Sequence, residues 1–179
     1  MSNRELTPFS YEVLALVGRG GASAYEVRQM AHRGRIFAWA GESQYYTEPK
    51  RLAGLGYLEP RTERGKTRPR VVYTLTQKGL DALAAWARTP ARFPSIRHEA
   101  LVRLLAADLV GEEAVREGLA ALRADLDAVE AGFAEGLRGL ERLPHRRKYL
   151  ELGARLGQGW LELNRRWLDE VERELTSAP

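Results

Sequence analysis

Residues 43–76 read SQYYTEPKRLAGLGYLEPRTERGKTRPRVVYTLT, and this stretch decides the fold because two periodicities meet in it. The first part has helical spacing: Leu52 and Leu55 face inward and Gly56 closes the helix. Pro49 falls inside that helix. Proline removes an intrahelical hydrogen bond and clashes with the preceding turn, so either the helix is kinked there or its regular part starts close to Pro49. The second part is extended. Residues 57–62 and 71–75 flank a basic tip punctuated by Gly65 and Pro69. Val71, Tyr73 and Leu75 alternate with Val72 and Thr74, as in a half-buried strand. Pro60 confines the first strand to a sheet edge.

Upstream, Thr7-Pro8 starts a first helix, because threonine caps and proline fits the first helical position. Tyr11, Val13, Leu14, Leu16 and Val17 form its apolar face, and Gly18, Gly20 and Gly21 end it. Ser23 and Glu26 then form a capping box for a second helix through Val27 and Met30, which stops near Gly34. Downstream, Thr76 caps a fourth helix over 79–87, with Leu80, Leu83 and Trp86 on one face.

The linker TPARFP (89–94) breaks that helix, and the rest of the chain reads as helical. Ser95 is expected to cap a helix carrying Leu101, Leu104, Leu105 and Leu109, which Gly111 breaks. Val115, Leu119, Leu122, Leu126, Val129, Phe133, Leu137 and Leu140 then recur at steps of three and four. After Pro144 the same spacing returns in Tyr149, Leu152, Leu156, Trp160, Leu163, Trp167 and Val171. Both series are heptad-like seams. An antiparallel pair joined at Leu143-Pro144 buries one seam on the other but leaves Phe133, Trp160 and Trp167 in need of cover, which a second copy of the chain supplies. Leu119, Leu122, Leu126, Phe133, Leu156, Trp160, Leu163 and Trp167 are therefore the candidate dimerisation residues.

Composition removes several alternatives. With no cysteine among 179 residues, disulfides, thiolate zinc sites and cysteine nucleophiles are excluded. His32, His98 and His145 share no metal-ligand spacing, so no metal or cofactor is expected. No nucleophile–base pair or carboxylate dyad is evident, and GRGG at 18–21 lacks the frame of a phosphate-binding loop, so the chain does not read as an enzyme. No run approaches the ~20 apolar residues needed to cross a bilayer, and the N-terminal segment lacks a secretory pattern. A soluble, cytoplasmic protein is the expectation. Charge is uneven: residues 1–96 hold 15 Lys and Arg against 8 Asp and Glu, a net +7, while residues 97–179 hold 13 against 16, a net −3. A basic module thus precedes a mildly acidic one.

Three helices followed by a hairpin with a basic tip is the order of a winged helix-turn-helix. The expected fold is mainly α with a small β-hairpin: a winged helix-turn-helix over 1–88, the linker 89–94, and a long antiparallel helical dimerisation domain over 95–179. The third helix presents Ser43, Gln44, Tyr46, Thr47, Lys50 and Arg51 on its polar side. Gln and Arg can make paired hydrogen bonds to base edges, and Ser, Thr, Tyr and Lys suit phosphate oxygens. Tyr45, one residue from Tyr46, is assigned to the core. The tip 61–70 sets Arg61, Arg64, Lys66, Arg68 and Arg70 against one acid, Glu63. Beside the helix it can straddle the backbone of double-stranded DNA or enter a minor groove. Each of these residues has a bland alternative, Arg51 as a solvated helix residue and the tip as a solubilising hairpin; the combination favours DNA.

The N-terminal half resembles the PadR family of transcriptional regulators. The matching stretches are SYEVLALVGRGGASAYEVRQM (10–30), ESQYYTEPKRLAGLGYLEPR (42–61) and RPRVVYTLTQKGLDALAAW (68–86). The C-terminal half resembles the helical extension of longer members. The resemblance implies a homodimer joined through the C-terminal helices, regulation (usually repression) of a nearby gene, and in some members relief by a phenolic or other aromatic compound. The family's contacts carry over to Ser43, Gln44, Tyr46, Thr47, Lys50, Arg51, Lys66, Arg68 and Arg70. Pro49, where the family more usually has leucine, and Thr47 depart from its pattern, which bears on the tilt of the third helix.

Trp39, Trp86, Trp160 and Trp167 suit an effector pocket or the core, with core packing preferred for Trp86 and Trp160. Glycines at 132, 136, 139, 153, 157 and 159 mark a close helix approach or room for a ligand. A competing reading keeps the winged fold as a scaffold for protein–protein contact, with the same cations meeting an acidic partner.

Overall fold

A computed structural model of the chain describes residues 6–33, 40–64, 69–138 and 144–176. It divides into two compact units, 1–92 and 93–179.

In the first unit α1 (Pro8–Val17) begins as its sequence dictates. The Thr7 side chain accepts from the Ser10 N–H, Ser10 reaches back to the Thr7 N–H, and Pro8 fills the first turn. Gly18 ends the helix with φ 59°, a conformation glycine adopts at no steric cost. α2 (Ala24–Arg33) carries the Ser23–Glu26 capping box, in which the Glu26 carboxylate accepts from both the backbone N–H and the hydroxyl of Ser23. α3 (Gln44–Gly54) runs through Pro49 as one helix; Ser43 stands at its N-cap without a side-chain cap bond. β2 (Leu58–Glu63) and β3 (Arg70–Leu75) form the hairpin, and α4 (Gln77–Ala87) follows with Thr76 as its cap.

The sheet holds one strand more than the expected hairpin. The two residues of β1 (Ala22–Ser23) pair antiparallel with β3, giving the order β1-β3-β2. β2 is an edge, which is why Pro60 is tolerated opposite Tyr73. β3 is central, and this changes its burial. Val72 and Tyr73, on opposite faces, are both buried where β1 and β2 flank them, while Val71, expected inward, is 43% exposed beyond the reach of β1. A strand as short as β1 gives no alternation to read.

One core joins these elements. Val13, Leu14 and Val17 of α1, Val27 and Ala31 of α2, Tyr45 and Leu52 of α3, and Tyr57, Leu58 and Tyr73 of the hairpin region pack together. Trp86, expected in that core, keeps 43% exposure and instead stacks on Tyr11, with centroids 4.8 Å apart and ring planes at 6°. The C-terminus of α3 is held from α4: Lys78 Nζ donates to the Leu55 carbonyl at 2.7 Å, and the Thr76 hydroxyl donates to the Gly56 carbonyl at 2.7 Å. Gly79 lies so close that an added Cβ would sit 2.3 Å from the Tyr57 carbonyl oxygen.

The second unit comprises α5 (Glu99–Leu105), α6 (Ala107–Val110), α7 (Glu112–Leu119), α8 (Leu122–Arg138) and α9 (Arg147–Glu174). Three sequence expectations change, the first being that the one helix expected to carry Leu101, Leu104, Leu105 and Leu109 is divided at Ala106 into α5 and α6. His98, not Ser95, caps α5, its Nδ1 accepting from the Leu101 N–H at 3.2 Å; residues 88–98 stay non-helical. The first seam is also broken at 120–121, which lets α7 pack on α5 while α8 runs along α9. Ion pairs order the last two helices antiparallel: Arg123 meets Asp169 and Glu172, and Arg165 meets Asp127 and Glu130.

α9 carries two apolar stripes where the sequence suggested one. Ala154, Gly157, Leu161, Asn164, Leu168 and Val171, at alternating steps of three and four, are buried within the unit. Tyr149, Leu152, Leu156 and Leu163 form a second stripe that is exposed, with Trp160 and Trp167 partly covered at its border. The candidate dimerisation residues therefore separate. Leu119 and Leu126 are 3% and 7% exposed, Leu122 packs beside Leu119, and the Phe133 ring presses on Gly157, so these four serve the interior of one copy. Leu156 and Leu163 remain open. The expectations for Gly139, Leu140, Leu143 and Trp39 lie outside the described residues.

Substituting Gly79→Ala forces its Cβ into a backbone carbonyl that no rotamer change can clear. The expected loss is about 1–3 kcal/mol, read as a fall in Tm of the first unit's transition by calorimetry; an unchanged Tm would contradict the close approach.

Candidate nucleic-acid interface

Spacing along α3 sorts its residues. Tyr45, Glu48, Pro49 and Leu52 are buried, and Ser43, Gln44, Tyr46, Thr47, Lys50 and Arg51 are exposed. Tyr45 is a core residue, with its hydroxyl donating to the Glu12 carboxylate at 3.0 Å. The exposed row is partly pre-ordered. Gln44 Oε1 accepts from the Gly41 N–H at 3.1 Å, which leaves its amide NH2 as the donor facing out. The Thr47 hydroxyl donates to the Gln44 carbonyl at 3.1 Å and so offers its lone pairs outward. Lys50 is exposed and no ion pair holds it among the described residues.

Arg51 has a different environment from the rest of that row. Its Nε and a terminal nitrogen grip the Glu48 carboxylate at 2.9 and 2.7 Å, and the terminal nitrogen also reaches Ser10 Oγ at 3.0 Å. Ser10, fully buried, donates to Glu48 Oε1 at 2.7 Å. Burial pushes the Glu48 carboxyl up, but the hydrogen bonds from Arg51 and Ser10 and the charge of Arg51 outweigh it and hold the group below its ordinary value. Reading the sequence alone misses this network, although its signal is there: Glu48 falls three residues after Tyr45 and four before Leu52, on the inward stripe.

At the wing, Arg64 is exposed at the end of β2, and Lys66 and Arg68 lie outside the described residues. Arg70 is at the root, opposite Glu63 in the register. It bridges Glu26 at 2.9 Å and Glu63 at 3.2 Å, tying the hairpin to the start of α2. Burial raises the Glu26 carboxyl, but its bonds to Ser23 and the Arg70 charge outweigh that and hold it below the usual carboxylate range. Among the described residues no group of three or more His, Asp or Glu could hold a metal ion, and no helix is long and apolar enough to cross a membrane.

The second unit has an open cleft of about 300 Å³ bounded by Ile96, Leu101, Trp160, Leu163 and Trp167, with His98 and Asn164 as its polar side chains. Because His98 Nδ1 accepts a backbone N–H, its proton sits on Nε2 and donates to Asn164 Oδ1 at 2.6 Å; Asn164 Nδ2 donates to the Trp160 carbonyl at 2.8 Å.

Both depressed carboxylates have folded-state values below their unfolded ones. Their stabilisation is therefore present above the unfolded value, ~4.3 for glutamate, and is lost as pH falls through the folded value. Urea unfolding of the chain followed from neutral to acid pH is expected to show this loss, and Glu48→Gln to flatten it; equal pH slopes for the two proteins would refute the assignment.

No family model matches the chain, and no curated protein matches it in sequence. Solved structures do. The chain is similar to Bacillus subtilis PadR in complex with operator DNA, at TM-score 0.73 and 20% identity over 95% of this chain and 98% of that one. It is similar to a PadR-like transcriptional regulator from Bacillus cereus, at TM-score 0.75 and 14% identity over 98% of each chain. It is also similar to Bacillus subtilis PadR in complex with p-coumaric acid, at TM-score 0.62 and 17% identity over 94% of this chain and 99% of that one. From the first helix to the last, this chain has the fold of the PadR-like winged-helix regulators.

Proposed function

We propose that this chain is a PadR-family transcription regulator that binds operator DNA as a homodimer and represses, and that it acts in the cytoplasm. The observation that carries the reading is the exposed polar row of α3, held on a rigid core beside a basic wing. Ser43, Gln44, Tyr46, Thr47 and Lys50 are the proposed contacts of the helix. Arg64, Lys66 and Arg68 are those of the wing, with Arg70 at its root. Gln44 is the one suited to a base edge, since its outward NH2 can donate to an acceptor there. The similarity to a regulator seen on operator DNA supports this assignment.

The proposed division of labour follows the chain: 1–88 for DNA, 89–94 as linker and 95–179 for dimerisation. The open stripe of α9 supports the dimer. A helix of 28 residues is about 42 Å long at 1.5 Å per residue, and Tyr149, Leu152, Leu156 and Leu163 form an apolar stripe on its outer side. Val102, Leu105, Leu109 and Val110 on α5 and α6 are further exposed apolar residues of the same unit. A second copy, presenting the same stripe, covers it with two-fold symmetry. An aromatic effector is proposed to relieve repression; the tryptophan-bordered cleft and the similarity to a protein bound to p-coumaric acid support it.

Two measurements test the reading. Log affinity for duplex DNA is expected to fall linearly with log salt. The triple variant Lys66→Gln, Arg68→Gln, Arg70→Gln is expected to lower that slope by ~1 for each phosphate it no longer neutralises; unchanged retention on DNA would instead favour the adaptor reading. Sedimentation of the wild type at micromolar concentration is expected to give twice the chain mass, and Leu156→Glu with Leu163→Glu to give a folded monomer. A monomeric wild type would overturn the dimer.

A further inference from the structure

The DNA-facing row of α3 sits on a helix that contains a proline in its interior, and the structure shows what holds that helix in place. Pro49 offers no N–H to the Tyr45 carbonyl, so one bond of the helix ladder is missing there. The turn before it, which carries Gln44, Tyr46 and Thr47, is therefore joined by one hydrogen bond fewer to the turn after it, which carries Lys50 and Leu52. Polar ties run to α1 from before the break, from the residue at it and, through Arg51 and Ser10, from after it. Before it, the Tyr45 hydroxyl donates to both carboxylate oxygens of Glu12, at 3.1 and 3.0 Å, and the Tyr45 ring meets the edge of Phe9 at 5.0 Å. At the break, Glu48 accepts from Ser10 of α1 and from Arg51. Ser10 is itself fixed, because its Oγ accepts from the Thr7 N–H in the cap of α1 at 3.0 Å.

We infer that Glu12 and Ser10 of α1, acting through Tyr45 and the Glu48–Arg51 pair, position the recognition helix across Pro49, and that Arg51 is a positioning residue and not a DNA contact. This deepens the proposed function and rests on it for its DNA readout. The geometry favours it over the contact role expected from sequence. A guanidinium gripped through Nε and one terminal nitrogen by a buried carboxylate cannot present that same pair of donors to a phosphate. Releasing it to a phosphate would leave the Glu48 charge buried with only Ser10 to satisfy it, which is unfavourable.

The test is a double-mutant cycle on the full chain, with a duplex enriched from a random-sequence pool by the wild type as the probe. Glu48→Gln and Arg51→Gln are each expected to weaken binding about tenfold, the scale of a hydrogen-bonded charge pair. The double variant is expected to be no weaker than either single one, with the salt slope unchanged throughout. Lys50→Gln, by contrast, lowers the slope by ~1. Additive losses, a lowered slope in Arg51→Gln, or tighter binding by Glu48→Gln would each overturn the inference. Ser10→Ala, which removes that hydroxyl's bonds to Glu48, Arg51 and Thr7 and leaves the Glu48–Arg51 ion pair, serves if Glu48→Gln does not fold. It is expected to weaken binding in the same direction. Amide hydrogen exchange read without DNA separates the two claims. Faster exchange in the first turn of α3 in Glu48→Gln or Ser10→Ala supports the tie even if no duplex is enriched, an outcome that would sink only the DNA reading. Unchanged exchange in both variants would overturn the tie.

Discussion

The packing of α1 against α3 is the interaction on which the N-terminal unit depends. Its apolar part, Val13 and Leu14 with Tyr45 and Leu52, excludes water and provides the non-directional part of the stability. Its polar part gives the packing a single geometry. A buried carboxylate tolerates few arrangements, because every oxygen must find a donor, and Glu48 finds Ser10 and Arg51. An apolar residue at that place would pack in several rotations of the helix; a hydrogen-bonded acid packs in one. The residues that could touch DNA inherit that orientation, since they occupy the opposite face of the same helix.

The wing is tied by the same logic. Arg70 bridges Glu63 of β2 and Glu26 of α2, so the described strands of the hairpin are anchored to α2. Exposed ion pairs of this kind contribute little stability individually, with a typical value of ~0–1 kcal/mol. Their effect here is geometric. Two cations of the basic module, Arg51 and Arg70, are paired with acids of the same unit, so a bare count of cations overstates how many stand unpaired.

In the second unit the governing constraint is that one helix cannot hide two stripes against one neighbour. α9 turns Leu161, Leu168 and Val171 inward and leaves Tyr149, Leu152, Leu156 and Leu163 outside. Asn164 interrupts the inner stripe, yet it is satisfied by His98 and the Trp160 carbonyl. That bond fixes where α5 begins, because His98 caps α5 with the other ring nitrogen.

Local chemistry alone determined the helix starts at Thr7, Ser23 and Thr76, the helix ends at Gly18, Gly56 and Gly111, the edge placement of Pro60, and the order of elements that marks a winged helix-turn-helix. These are short-range matters, set by caps, by φ and by a missing N–H, so adjacent residues suffice to read them. Four features required the tertiary structure: the third strand at Ala22–Ser23, the cap supplied by His98, the split of the C-terminal seams, and the engagement of Arg51. Each depends on a partner distant in sequence, β3 for the strand, Asn164 for His98, α8 for the inner stripe, Ser10 for the Glu48–Arg51 pair. Periodicity reports that a residue faces inward or outward along its own helix. It does not report which of two apolar stripes meets a neighbour, or which exposed cation is already held by an acid, because those are decided by where the other elements pack.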